Sequence, residues 1–338
     1  MRVPDETERR PFSGWLLAVA LLPVWLACAE STPVQPVVRA KPVESPGAPA
    51  SPGAPASPGA PASPGTPAPA LVDQIYLADA DGTVRDRLAE GSRPSWSPDG
   101  RRIVFHRDGR VRVIGADGSN EVELAVGRWP TWSPDGDRIA FANPDGIHVM
   151  NADGTAARVL MAPDLYRLHD WDDIAMLAWS PDGSLIAYQH LSWESPDKLF
   201  VMTADGSSRL ALTSTTGNQY AESDPAWSPD GSRIIYWSFG YGIGTIDRRG
   251  GETGTITKNF PEIAYNSRPA WSPDGRTITF NTYPWRPSSI MSMPSSGGSA
   301  TVLIQDGFDA SWSPDGKRIV FVRRTERRCS EEQCAITK

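Results

Sequence analysis

Two of the four histidines in this 338-residue sequence stand near acidic residues. His169 is followed by Asp170, Asp172 and Asp173, and His190 lies in the next irregular segment. Imidazole and carboxylate groups are common ligands of catalytic metals, so a metal site is one interpretation of this group. The other is a solvated acidic loop, which we favour because the chain has so few histidines. We therefore predict no metal and no other cofactor.

Aromatic and charged residues concentrate in the segments 163–176, 189–198, 218–224, 237–242, 259–266 and 281–287. Exposed Trp and Tyr with a few charges are typical of a protein-binding surface or a sugar platform. The alternative is that Trp171, Trp193, Trp237 and Trp285 fill gaps in the packing. The predicted binding residues are Trp129, His169, Asp170, Trp171, Asp172, Trp193, Tyr220, Tyr241, Tyr265, Tyr283, Trp285 and Arg286.

Two classes of function find little support in the sequence. The Gly-x-Ser-x-Gly motif of α/β-hydrolases does not occur in it. The net charge is −7, without long runs of Lys or Arg, which argues against a nucleic-acid binder. We predict a non-catalytic protein with no nucleic-acid partner.

An eleven-residue motif containing Trp-Ser-Pro-Asp-Gly recurs six times. The copies are SWSPDGRRIVF (95–105), TWSPDGDRIAF (131–141), AWSPDGSLIAY (178–188), AWSPDGSRIIY (226–236), AWSPDGRTITF (270–280) and SWSPDGKRIVF (311–321). Their tryptophans are 36 to 48 residues apart, which is typical of four-stranded propeller blades. Pro presets the φ of a turn, Asp bonds the backbone two residues on, and Gly adopts the left-handed conformation. A ligand ring formed by the six Asp carboxylates is the weaker interpretation.

A second motif alternates with the first and supplies two more strands to each unit. Its copies are IYLADADG (75–82), VRVIGADG (111–118), IHVMNADG (147–154) and LFVMTADG (199–206), with IGTIDRRGG (243–251) and IMSMPSSGG (290–298) as altered forms. The first and last units are halves, which together complete a sixth blade and leave no terminal sheet edge. We predict an all-β fold, a six-bladed β-propeller over residues 71–324.

The strand that ends at each Trp is predicted to be innermost, because the residue before the Trp is always small. Three residues before the Trp, we expect a ring at one channel mouth, formed by Arg93, Trp129, Met176, Asp224, Arg268 and Asp309. In an up-and-down blade the PDG and ADG turns share one face, here called the turn face. The remaining connections form the opposite, variable face, and loops of this kind often carry binding residues.

Outside the propeller, the sequence predicts three segments. Residues 1–28 have the features of a secretory signal, and Leu26-Ala27-Cys28 favours lipidation of Cys28, with ordinary signal-peptidase cleavage as the alternative. Residues 29–70 contain SPGAPA repeats and are expected to form an extended, disordered tether. In the tail, 325–338, Cys329 and Cys334 would pair in an oxidising compartment or remain free thiols.

The WSPDGxxIxF motif followed by IxVMxADG resembles the repeat of the TolB β-propeller family, and of the propellers of prolyl oligopeptidases. The resemblance implies an envelope protein with a peptidoglycan-associated partner. TolB proteins also have a separate N-terminal α/β domain, whose place the Pro-rich segment takes here. We expect an exported monomer, lipid-anchored at the periplasmic side of the outer membrane or at the cell surface. It would bind a protein or cell-wall glycan, and a metal-dependent carbohydrate or lactone enzyme is the alternative.

Overall fold

The computed structural model describes residues 71–162, 174–190, 198–213, 222–238, 241–251, 253–257, 268–282 and 288–326. Within these ranges the secondary structure consists of 24 β-strands, so no membrane-spanning helix occurs there. The chain first forms β1 (Leu71–Asp79) and β2 (Val84–Glu90). Blade 1 follows with β3 (Ser92–Trp96), β4 (Arg102–Arg107), β5 (Arg110–Gly115) and β6 (Val122–Val126).

The next blades repeat this order of strands. Blade 2 contains β7 (Arg128–Trp132), β8 (Arg138–Asn143), β9 (Gly146–Asn151) and β10 (Arg158–Met161). Blade 3 contains β11 (Ile174–Trp179), β12 (Leu185–His190), β13 (Lys198–Thr203) and β14 (Arg209–Ala211). Blade 4 contains β15 (Glu222–Trp227), β16 (Arg233–Ser238), β17 (Gly242–Asp247) and β18 (Thr253–Thr255). Blade 5 contains β19 (Ala270–Trp271), β20 (Thr277–Asn281), β21 (Ile290–Pro294) and β22 (Thr301–Ile304).

The sixth blade joins both ends of the described chain. Strands β23 (Phe308–Trp312) and β24 (Arg318–Glu326) form its inner half, and the sheet order is β2-β1-β24-β23. Strands β1 and β24 pair along their full length of 9 residues, from Leu71 opposite Glu326 to Asp79 opposite Arg318. The predicted six-bladed propeller and its closure by two half-blades are therefore confirmed.

Six hydrophobic clusters fill the spaces between neighbouring blades. The cluster at the closure joins Ile75 and Val320 of blade 6 to Trp96 and Phe105 of blade 1. Equivalent clusters lie at the other five blade junctions of the described ring. Cutting such a buried Trp to Ala typically costs about 3 to 5 kcal/mol, so these junctions stabilise the ring.

Arginines cover several of the inter-blade tryptophans from the preceding blade. The guanidinium of Arg102 lies 4.6 Å from the ring centroid of Trp132, and that of Arg318 lies 4.7 Å from the centroid of Trp96. The blade 2 arginine contacts the Trp of blade 3 in the same way. Such cation–π contacts contribute about 0.5 to 2 kcal/mol each. They add a polar layer to these three junctions on the turn-face side.

Each WSPDG turn is closed by a hydrogen-bond network centred on its serine. In blade 1, Ser97 Oγ donates to Asp99 Oδ1 at 2.6 Å and accepts from the Arg102 amide at 2.9 Å. Asp99 Oδ1 also accepts from the Arg101 amide at 3.0 Å, and Gly100 has a φ of 66°. The same serine-aspartate bond occurs in the other five turns. The turn role of Asp is as predicted, whereas the buried serine was not considered.

Candidate functional site: the channel mouth and its funnel

The six residues expected at the channel mouth share an unusual backbone conformation. Their φ values are 57° for Arg93, 51° for Trp129, 59° for Met176, 52° for Asp224, 30° for Arg268 and 58° for Asp309. In blades 1, 2, 3, 4 and 6 the pairing with the second strand shifts register beside this residue. A left-handed non-glycine residue costs about 1 to 2 kcal/mol, so the closed ring must impose this geometry.

These residues surround the entrance of a channel along the propeller axis. The channel has a volume of about 160 Å³ and is lined by the first strands of all six blades. The small residues before each Trp lie along it, among them Ser95, Thr131 and Ala178. The prediction that the strand ending at each Trp is the innermost strand of its blade is therefore confirmed.

A network of charged side chains crosses the mouth. Arg93 of blade 1 donates from Nη1 to Asp224 Oδ1 of the opposite blade 4 at 2.7 Å. Arg93 Nε lies 3.4 Å from Asp309 Oδ2, and Arg268 Nη1 lies 3.1 Å from the same oxygen. The carboxylates of Asp224 and Asp309 are only 3% and 8% exposed. Two cations and two anions thus meet over the channel and balance each other.

The pKa shifts of Asp309, Arg93 and Arg268 reflect the opposing effects of burial and of the neighbouring charges. Burial raises the pKa of Asp309, but the charges of Arg268 and Arg93 outweigh it and hold the pKa below its usual value. Burial lowers the pKa of Arg93, but Asp309 and Asp224 reverse the direction and raise it. For Arg268, burial dominates and lowers the pKa from its very high ordinary value.

His106 is a neutral neighbour of the charged network. Burial, and next the positive charge of Arg93, lower its pKa to about 4. Its Nδ1 accepts a hydrogen bond from the Trp129 amide at 3.5 Å, and the two rings meet edge to face at 6.5 Å. A neutral imidazole at this place supports the strained backbone of Trp129.

Above the mouth, on the variable face, lies a cavity of about 1060 Å³, here called the funnel. Its wall includes Asp73, Ser92, Trp129, Asn281, Phe308 and Arg324. Asp73 accepts from Ser92 Oγ at 2.8 Å and from Arg324 Nε at 2.8 Å, and the Arg324 guanidinium lies 5.4 Å from the Phe308 ring centroid. The funnel offers hydrogen-bonding groups beside aromatic rings, a composition suited to a protein side chain or a sugar.

The predicted binding residues are only partly described by the structure. Trp129 lies at the mouth, and Tyr241 is 56% exposed between β16 and β17 on the variable face. Trp237 is 4% exposed in the junction between blades 4 and 5, so packing explains it. Outside the described residues lie His169, Asp170, Trp171, Asp172, Trp193, Tyr220, Tyr265, Tyr283, Trp285, Arg286, Cys28, Cys329 and Cys334.

The carboxylates of the six PDG turns are occupied in their own turns. In each turn a serine hydroxyl, the largest contributor, and a backbone amide lower the pKa of the aspartate. Among the residues with described positions, no group of three or more His, Cys, Asp or Glu is arranged to hold a metal. The turn interpretation of these aspartates is sufficient.

Sequence reasoning missed the funnel wall formed by Asp73, Ser92, His106, Asn281 and Arg324. One signal for it exists in the repeat. The residue after the conserved aromatic of the second strand differs in every blade, being His106, Ala142, Gln189, Trp237, Asn281 and Val322. Two of these residues, His106 and Asn281, line the funnel, whereas Ala142, Trp237 and Val322 belong to the hydrophobic clusters between blades.

Comparisons with known proteins place this geometry among related propellers. A family model of the TolB β-propeller domain matches residues 110–334. A protein assigned as TolB of Agrobacterium tumefaciens is 22% identical with a TM-score of 0.62, over 76% of this chain and 99% of that one. TolB of Acinetobacter baumannii is 16% identical with a TM-score of 0.50, over 74% of this chain and 65% of that one. A search of curated proteins finds no match.

Enzymes with propeller folds are also similar in structure. An oligogalacturonate lyase in complex with manganese is 16% identical with a TM-score of 0.51, over 75% of this chain and 82% of that one. A gluconolactonase from Xanthomonas campestris is 12% identical with a TM-score of 0.51, over 69% of this chain and 85% of that one. At these identities the likeness extends to the fold alone.

Proposed function

The chain belongs to the TolB β-propeller domain family, and from this premise we propose that it is a non-catalytic interaction module of the bacterial envelope. Its partner docks on the variable face, with the funnel at the centre of the contact. The single observation that carries the proposal is the convergence of six side chains of four different types at one strained backbone position beneath a funnel of about 1060 Å³.

The chemistry of the funnel favours a protein partner. Interfaces are built around aromatic and arginine residues, which Trp129, Phe308, Arg323 and Arg324 supply here. The Arg323 guanidinium lies 5.4 Å from the ring centroid of Tyr76 and donates to Gln305 O at 3.1 Å, and these two contacts hold it in place. A peptidoglycan-associated protein is the partner that the family suggests, and a cell-wall glycan is the alternative ligand of the same surface.

The location of the protein is part of the proposal. We propose export across the inner membrane, lipidation of Cys28 and a tether formed by residues 29–70. The anchored propeller would then act at the periplasmic side of the outer membrane or at the cell surface. Membership of the TolB family supports the periplasmic direction of export.

An enzyme function is the second candidate, favoured by the structural likeness to a lyase and a lactonase. It predicts turnover of oligosaccharides or lactones in the presence of divalent metals, abolished by His169→Ala. Absence of turnover across metals and both substrate classes would leave the interaction module as the better account.

Affinity capture from envelope extracts tests the interaction function. We expect specific partners of the wild-type chain to be lost with Trp129→Ala, and with Tyr220→Ala or Trp285→Ala in the variable-face segments. Arg101→Ala is a matched control, because Arg101 is exposed on the turn face. Partners retained by all three variable-face variants would contradict docking through that face.

A further inference from the structure

The outer turns of blades 4 and 5 depart from the repeat of the turn face, and the departure in blade 4 introduces two charges that the interaction function does not use. In blades 1, 2, 3 and 6 the outer turn reads Ala-Asp-Gly, whereas blade 4 has Arg248, Arg249 and Gly250 at these positions. The backbone is unchanged, since the Arg248 amide donates to Ser232 O just as the equivalent Ala204 amide donates to Ser184 O. Two cationic side chains have therefore been placed on an unaltered turn.

Arg248 has a structural explanation. In blade 3, Leu185 occupies the position from which Arg102 and its equivalents cover the next Trp. Arg248 replaces that missing cation, with its guanidinium 5.8 Å from the centroid of Trp227. It also donates to Asp182 Oδ2 at 3.1 Å and to Ser184 Oγ at 3.3 Å. These contacts fix the guanidinium at the blade junction.

Arg249 has no such explanation. The aspartates at its position in blades 1, 2, 3 and 6 accept from the amide two residues on, as Asp205 does from Ser207 at 2.9 Å. In blade 4 this role passes to Asp247, which accepts from the Arg249 amide at 2.9 Å. The turn is therefore closed without the Arg249 side chain, which is exposed to solvent.

The two arginines border a cleft of about 380 Å³ between blades 3 and 4. The outer strand β14, which borders the cleft, is only 3 residues long. Two guanidinium groups of the described lining, those of Arg248 and Arg249, border the cleft, whereas the Arg209 guanidinium lies 3.9 Å from Met161 Sδ of blade 2. Leu185 and Leu210 provide an apolar side.

We propose that this cleft binds a phosphate group. Arginine forks match the oxygens of phosphate, and one guanidinium already fixed by a carboxylate and an aromatic ring lowers the entropy cost of binding. The hydroxyl of Ser208 adds a donor at the edge of the cleft. The phosphate belongs either to a soluble ester or to a lipid headgroup whose apolar part contacts Leu210. The site is separate from the funnel and does not depend on its function.

Calorimetric titration of the full chain tests the proposal in two arms. The first uses inorganic phosphate and glycerol 3-phosphate, and the second uses phosphatidylglycerol vesicles with phosphatidylcholine vesicles as reference. We expect saturable binding in at least one arm, weakened about tenfold or more by Arg249→Asp. Binding in the first arm identifies a soluble ester, and binding only to phosphatidylglycerol identifies a lipid headgroup.

The two variants Arg249→Asp and Arg158→Ala control for loss of folding and for the general loss of one surface charge. Arg249→Asp installs the residue found in four other blades, so its melting temperature should equal that of the wild type. Arg158→Ala removes an exposed charge from the outer strand of blade 2 and should leave binding unchanged. Absence of saturable binding in both arms, or an equal loss in Arg249→Asp and Arg158→Ala, would overturn the proposal.

Discussion

The turn face and the channel mouth are built by the same six inner strands, but they differ in how their side chains are used. At the turn face, one serine and one aspartate make the same hydrogen bond in every blade. At the mouth, one strained backbone position carries arginine, tryptophan, methionine or aspartate. Repetition therefore builds the ring, and the departure from repetition gives the mouth its mixture of charged, aromatic and apolar side chains.

The largest expected effect comes from opening the ring, on which both faces depend. Deleting residues 71–90 removes β1 and β2, and with them the pairing of β1 to β24 and the cluster at the junction of blades 6 and 1. We expect the cooperative thermal transition to be lost, as followed by calorimetry. Deleting only residues 1–70 is the control, since the six inter-blade clusters lie outside that segment. A chain lacking 71–90 that melted as sharply and as late as the parent would contradict the closure.

The same chemical change at the two faces should have unequal effects. Asp309→Asn leaves Arg93 and Arg268 at the buried mouth without their shared counter-charge, which should cost about 2 to 4 kcal/mol of unfolding free energy. Asp99→Asn keeps an acceptor for Ser97 in an exposed turn, and should cost about 1 kcal/mol or less. Urea unfolding of both variants measures the difference. Equal losses would mean that the mouth network is no more critical than a turn.

A pH titration of stability should single out His106 in the mouth. Its pKa falls from 6.5 in the unfolded chain to about 4 in the folded one, because burial disfavours the imidazolium. As pH falls from about 6.5 to about 4, the unfolded chain gains a proton that the folded chain does not, so stability declines. The loss attributable to His106 is about 3 kcal/mol.

The variant His106→Gln isolates this effect. Because Gln does not titrate, the decline over the same pH window should become shallower. His148, whose pKa is also lowered by burial, remains as a source of the residual slope. An identical slope in the variant and the wild type would show that another group controls acid sensitivity.

The smallest expected effect on stability is at the funnel rim. Arg324 is 51% exposed in its pair with Asp73, so Arg324→Ala should change the unfolding free energy by about 1 kcal/mol or less. The same variant should weaken capture of the envelope partner, because Arg324 forms part of the funnel wall. Denaturation and capture experiments on the same variant separate its effect on stability from its effect on partner binding. Unchanged capture would remove this arginine from the proposed docking surface.

The fold could be predicted because its information is local and repeated. Trp, Pro, Asp and Gly at fixed spacing determine strand ends and turns, and the two half-units determine closure. The mouth positions also follow from the repeat, as the residue three before each Trp. Their left-handed conformation does not follow, because Arg93, Trp129 or Met176 has no local preference for it. Only the closed ring imposes that geometry.

The contacts between side chains at the mouth and in the funnel could not be predicted from the sequence. Arg93 and Asp224 are 131 residues apart and meet only because blades 1 and 4 face each other across the axis. Asp73 and Arg324 are 251 residues apart and meet through the closure of blade 6. Pairings of this kind depend on the curvature and number of blades, which no spacing within one repeat contains.

Site-specific photo-crosslinking in living cells tests the central claim most directly. A photoreactive amino acid would be placed at Tyr241 or Thr325 on the variable face, and at Arg101 or Arg249 on the turn face. The account predicts that one defined envelope partner is crosslinked from the variable-face positions and not from Arg101. Equal crosslinking of that partner from both faces, or crosslinking from Arg101 alone, would contradict the assignment of recognition to the funnel.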